Sequence, residues 1–232
     1  MTPEAGTAGR VPKRPPKPGR FAVLAVAIAG IVTACTFAAG TAQEQGPRTE
    51  GSSGPTLVVV GDSYSEGVDN TVVWPQLLAE KRGYRLVNLS ISGTGYMNGG
   101  FATTFGDRIK SADIERPSII IFAGSRNDIL FSPAEVGAAA REAFATAQDR
   151  FPKARIIAIG PIWDSSTPAD AVRAINSAVS QAAEASGVEF VDALSADWLA
   201  DRSLIHADGI HATDAGQQVL SDGVEEAIPD LP

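Results

Sequence analysis

Thr56-Leu57-Val58-Val59-Val60-Gly61-Asp62-Ser63-Tyr64 decides the fold of this chain. A short apolar, β-branched run bounded by a turn reads as a buried strand. The glycine permits a tight exit from a sheet, and the serine then sits where the next helix begins. Backbone N–H groups are free at such a position, and the helix dipole favours negative charge there. A serine so placed is a candidate nucleophile, although Asp62 or Ser63 could equally serve there as a plain helix cap.

Working outward, the same pattern recurs. Leu86–Leu89, Ser118–Phe122, Arg155–Ile159 and Val188–Val191 read as four more strands. Helical stretches lie between and after them, at Val72–Arg82, Pro133–Arg150, Thr167–Ser186 and Thr213–Ile228. Ser132 before Pro133, with Glu135 close behind, is a helix start signal, and Gly187 is a stop. Five strands alternating with helices predict an α/β fold, a parallel sheet covered on both faces and wound in both directions. Ligands then bind beyond the carboxyl ends of the strands.

The loops at those ends carry the chemistry. After the second strand, Asn88-Leu89-Ser90-Ile91-Ser92-Gly93-Thr94-Gly95-Tyr96 has glycines that suit a backbone approaching a ligand, or an ordinary turn. After the third, Gly124-Ser125-Arg126-Asn127-Asp128 offers the Asn127 amide as a donor to a forming oxyanion, or as an Asx turn. Near the C-terminus stands His206-Ala207-Asp208-Gly209-Ile210-His211. Spacing of three lets Asp208 face His211 across one helical turn, orient the ring and leave its other nitrogen toward Ser63. The chain has only 2 histidines, so His206 is the one rival for the base.

Taken together, these segments resemble the SGNH hydrolases, the GDSL-type lipases and esterases, across about residues 56–225. Ser63 matches the nucleophile of the Gly-Asp-Ser block, Gly93 the glycine whose N–H is an oxyanion donor, and Asn127 the asparagine of the third block. Asp208 and His211 match the Asp-x-x-His block. The resemblance implies a flavodoxin-like three-layer α/β/α sandwich with strand order 2-1-3-4-5. It also implies a Ser63/Asp208/His211 triad, an oxyanion hole of Ser63, Gly93 and Asn127, and no cofactor. Two departures stand out. Ser125 occupies the glycine position of the third block, and Tyr64 stands where leucine is commonest, expected to pack under the first helix.

Composition narrows the function. The chain has 232 residues and a formal net charge of −8. Residues 1–20 hold Arg10, Lys13, Arg14, Lys17 and Arg20 against Glu4, so the remainder stands at −12. An acidic body argues against nucleic acid and against electrostatic docking on anionic lipid. One cysteine excludes an intramolecular disulfide, and no Cys/His cluster suggests a structural metal.

The N-terminal region reads as an address. Residues 1–20 are a basic, proline-rich stretch expected to be disordered and cytoplasmic. Phe21 to Gly40 runs without a charge, the layout of an export signal or membrane anchor. Val32-Thr33-Ala34-Cys35 resembles a lipobox, which makes Cys35 a candidate lipidation site. An uncleaved signal anchor and a secreted form are the alternatives. Residues 41–54 read as a flexible linker and 55–232 as the hydrolase domain. The sequence therefore predicts an extracytoplasmic serine esterase attached to the membrane through its N-terminal segment only. Its small domain favours short acyl esters, such as acetyl esters of carbohydrate, with lipid esters close behind. An acyltransferase using the same triad and a non-catalytic envelope binding module are the rival readings.

Overall fold

The computed structural model describes residues 54–229. Cys35, the apolar segment 21–40 and nearly all of the linker lie outside the described residues. Five strands form one parallel sheet: β1 (Thr56–Gly61), β2 (Arg85–Asn88), β3 (Ile119–Ala123), β4 (Arg155–Ile159) and β5 (Glu189–Val191), in the order β2-β1-β3-β4-β5. This is the α/β sandwich and the strand order expected from the sequence.

Two side-chain layers follow from the pleat. Alternate residues of a strand point to opposite faces. Leu57, Val59, Ile119, Ile121, Ile157 and Ile159 pack on one side against Trp74 and Leu78 of α2 (Trp74–Arg82) and Leu220 and Val224 of α7 (Asp214–Ala227). Val58, Val60, Ile120 and Phe122 pack on the other, against α3 (Phe105–Ser111), α4 (Pro133–Arg150) and α5 (Asp170–Ala185). Both faces of the central strands are covered, which is why those runs are apolar throughout.

Helix boundaries move inward from the sequence reading. The second helix starts at Trp74 and the fifth at Asp170. Ser132 caps α4 through a reciprocal capping box with Glu135. The helix expected to begin at Ser63 is only the four-residue α1 (Ser63–Glu66), and two short elements were not expected: α6 (Ala193–Ala196) and a 3₁₀ turn (Arg202–Leu204). Nor was α3, a seven-residue helix capped by Thr104 and Asp107. The sequence reading of one helical turn from Asp208 to His211 is corrected. That segment is a non-helical turn, closed by an isolated antiparallel bridge between Ile205 and Ala212.

Candidate active site

Ser63 follows β1 directly and is the first residue of α1. Asp62 caps that turn by accepting from the Tyr64 N–H at 3.1 Å. Ser63 is only 8 % exposed, at the carboxyl edge of the sheet. α1 is four residues long, so a helix dipole contributes little here. What the turn does supply is an uncommitted backbone N–H at Ser63, which has no protein acceptor among the described residues.

The base arrives from 148 residues away in sequence. His211 Nε2 lies 3.1 Å from Ser63 Oγ, and His211 Nδ1 lies 2.6 Å from Asp208 Oδ2. Asp208 Oδ1 accepts the backbone N–H of Ile210 at 2.9 Å and of His211 at 3.1 Å. This Asx-type turn, not a helix, brings residues three apart face to face. Gly209 makes it possible with φ at +79°, a conformation that a β-carbon would strain. The hydrogen bond from His211, reinforced by the Ile210 N–H, holds the Asp208 carboxyl well below the ordinary range. An ionised carboxylate on Nδ1 fixes the tautomer that leaves Nε2 able to accept a proton from Ser63.

His206 does not compete. Its backbone N–H donates to His211 O at 2.8 Å, and its Nε2 is buried without a partner among the described residues. It closes the turn that carries His211.

Gly93 sits in the loop after β2 with φ at +75°. Its N–H has no acceptor among the described residues, so it is available to a ligand. Neighbouring contacts hold the loop in place. Glu66 accepts the Ser92 N–H at 2.6 Å and also the Ser92 hydroxyl. Asp128 accepts three successive N–H groups, from Tyr96 at 2.8 Å, Met97 at 3.0 Å and Asn98 at 2.8 Å.

Asn127 lies beside this loop with both amide hydrogens engaged, one on Asp62 Oδ2 at 3.1 Å and one on Thr94 O at 2.9 Å. Ser125 donates to the same Asp62 oxygen. Asp62 is fully buried, and burial raises its pKa from 3.8 to about 6 despite those donors. The serine that replaces a glycine in the third block thus satisfies a buried carboxyl next to the nucleophile. Asp62 and Asn127 are tied into one network behind Ser63.

Sequence reasoning missed Arg108 and Asp128. Arg108, on the unexpected α3, donates to Gly61 O at 2.9 Å, Thr94 Oγ1 at 2.9 Å and Thr103 O at 3.0 Å, so it braces the loops after β1 and β2 together. Burial lowers its pKa to about 10. No local motif marks an arginine for such a role. Asp128 stood next to Asn127 in the quoted motif, and its value as a three-fold acceptor depends on a loop path that only the fold reveals.

A family model described as the GDSL-like lipase/acylhydrolase family matches residues 59–219. A GDSL lipase of Mycobacterium tuberculosis is 31 % identical over 188 residues, 74 % of this chain and 80 % of that protein. The crystal structure of TesA superposes with a TM-score of 0.63 at 25 % identity, covering 75 % of this chain and 97 % of its own. An acetylxylan esterase of Geobacillus stearothermophilus, Axe2, shares the fold at 19 % identity and a TM-score of 0.58, over 75 % of this chain and 94 % of its own.

Proposed function

The chain belongs to the GDSL-like lipase/acylhydrolase family and is a serine ester hydrolase; from that premise we propose that it is an extracytoplasmic esterase working through an acyl-enzyme on Ser63. The observation that carries this reading is the relay Ser63 Oγ to His211 Nε2 at 3.1 Å and His211 Nδ1 to Asp208 at 2.6 Å.

In the first step, His211 takes the Ser63 proton as Oγ attacks the ester carbonyl, and Asp208 stabilises the imidazolium. The tetrahedral oxyanion is held by the N–H groups of Ser63 and Gly93. The Asn127 amide joins them by sharing a hydrogen now given to Asp62 or Thr94. His211 then protonates the departing alcohol. In the second step it activates a water that releases the acid and regenerates Ser63.

Short acyl esters are the favoured substrates, acetyl esters of carbohydrate first and lipid esters next. Supporting this, the domain is small, and Tyr96, Met97 and Asn98 of the loop after β2 are bonded to Asp128. The name of the mycobacterial relative keeps lipid esters in the screen. Export rests on the charge-free run Phe21 to Gly40 behind a basic leader, with Cys35 as its lipidation site.

The reading is tested by hydrolysis of p-nitrophenyl acetate, a longer-chain series and acetylated xylo-oligosaccharides. Ser63→Ala is expected to abolish turnover. A variant that keeps a tenth of wild-type activity or more would remove Ser63 from the mechanism. Labelling with palmitate, in wild type and Cys35→Ala, tests the anchor, and equal labelling of both rules lipidation at Cys35 out.

A further inference from the structure

His211 lies between two backbone carbonyls, and each receives a side-chain donor from the segment that follows the nucleophile. The Tyr64 hydroxyl donates to Ile210 O at 2.6 Å, and Asn70 Nδ2 donates to Ala212 O at 2.9 Å. We infer that Tyr64 and Asn70 are positioning residues for the base, a clasp that straddles His211 and fixes its loop against Ser63.

Several observations make the clasp more than a pair of incidental contacts. Tyr64 is the residue next to Ser63, and it is buried. Its ring centroid stands 6.1 Å from that of His211, with the two rings tilted by 46°. Burial drives the phenol pKa up, so the hydroxyl keeps its proton and stays a donor. The Arg126 guanidinium lies beside that hydroxyl and pairs with Asp164, stacking over Trp163 at 4.3 Å. Tyr64 therefore links the nucleophile turn, the loops after β3 and β4, and the base loop.

Asn70 is held from both ends. Its Oδ1 accepts the Val68 N–H at 3.0 Å, which shapes the turn after α1. Its Nδ2 reaches Asp214 Oδ1 at 3.1 Å as well as Ala212 O. Asp214 opens α7 and also accepts the Thr71 N–H at 2.9 Å. A displacement of the base loop breaks both donors together, because Ile210 and Ala212 move with His211. Nothing else among the described residues bonds to the Ile210 carbonyl.

The inference rests on the proposed Ser63 mechanism, and the experiment separates the two. Tyr64→Phe keeps the ring and removes one donor, and Asn70→Ala removes the other. For each, kcat on p-nitrophenyl acetate is expected to fall about tenfold with KM within about twofold, because the lost contact serves base alignment and not ground-state binding. The rate of fluorophosphonate labelling falls in step. The low-field proton resonance of the Nδ1–H bond to Asp208 broadens or disappears at a temperature where the variant remains as fully folded as wild type.

Retention of kcat within twofold in both folded variants, with the resonance unchanged, overturns the clasp and leaves the mechanism intact. Wild-type turnover that survives Ser63→Ala overturns the mechanism instead. If Tyr64→Phe does not fold, Asn70→Ala decides the matter on its own, since its side chain is only half-buried in a turn.

Discussion

At the scale of single residues, the site is governed by one buried carboxyl and its neighbours. Asp62 is raised from 3.8 to about 6 by burial, so the folded protein holds its proton more tightly than the unfolded chain does. The sign follows from linkage. Its contribution to stability is fully present below pH 3.8 and is lost as the pH rises through about 6. Asp62→Asn removes that titration. Relative to wild type, the variant is expected to gain up to about 3 kcal/mol on going from pH 4 to pH 7, whatever its starting offset. Urea unfolding at the two pH values measures the gain, and parallel curves would refute it. Asn127→Ala tests the neighbouring donor. A lost oxyanion contact lowers kcat by roughly 10²–10³-fold, while KM for a short ester changes little. Tyr64 and Ser125, the two departures from the family pattern, both prove to be hydroxyls with partners in this network: Ile210 O and Asp62.

At the scale of elements, what positions the donors is a set of loops bonded to each other as well as to the end of β1. Asp128 holds three backbone N–H groups of the loop that follows β2. Asp128→Ala leaves those donors unsatisfied in a largely buried place, at a cost on the order of 3 kcal/mol. Its melting temperature should drop by several degrees. Its kcat should fall more than its KM rises, because Gly93 moves with the loop; kinetics with calorimetry checks both. The strands were legible because fully covered parallel strands are written as continuous β-branched runs, such as Ile119 to Phe122. α4 was legible from Ser132, Pro133 and Glu135. α3 was not, since Phe105-Gly106-Asp107-Arg108-Ile109-Lys110-Ser111 buries only Phe105, Arg108 and Ile109, too few for a periodic signal. The turn at Asp208 was legible in its partners but not in its geometry. An Asx turn and a helical turn place residues three apart in similar proximity, and only Gly209 at positive φ separates them. The hydrogen-bonded network behind Ser63 was illegible for a different reason: Asp62, Thr94, Arg108, Ser125 and Asn127 meet only once β1, β2 and β3 lie side by side.

At the scale of the whole molecule, residues 54–229 contain two layers of core, a five-stranded sheet and every residue of the relay. A chain begun at residue 54 is therefore expected to unfold in one cooperative transition and to keep kcat/KM for a soluble short ester within about twofold of the full chain. Calorimetry and ester kinetics on the two chains measure this, and a loss of tenfold or more would mean that the leader contributes to the domain. Ser63 lies at the front of this domain and His211 near its end, with the sheet order forcing β1 into the interior between β2 and β3. That separation has a temporal meaning. Synthesis delivers the nucleophile early and the base 148 residues later, and domains settle from the N-terminal side as they are made. A nascent chain that has emerged through Ser63 but not yet through His211 holds the serine without its base. Reactivity thus waits on the emergence of His211 and the docking of its turn beside Ser63, so that the order of synthesis itself delays the chemistry.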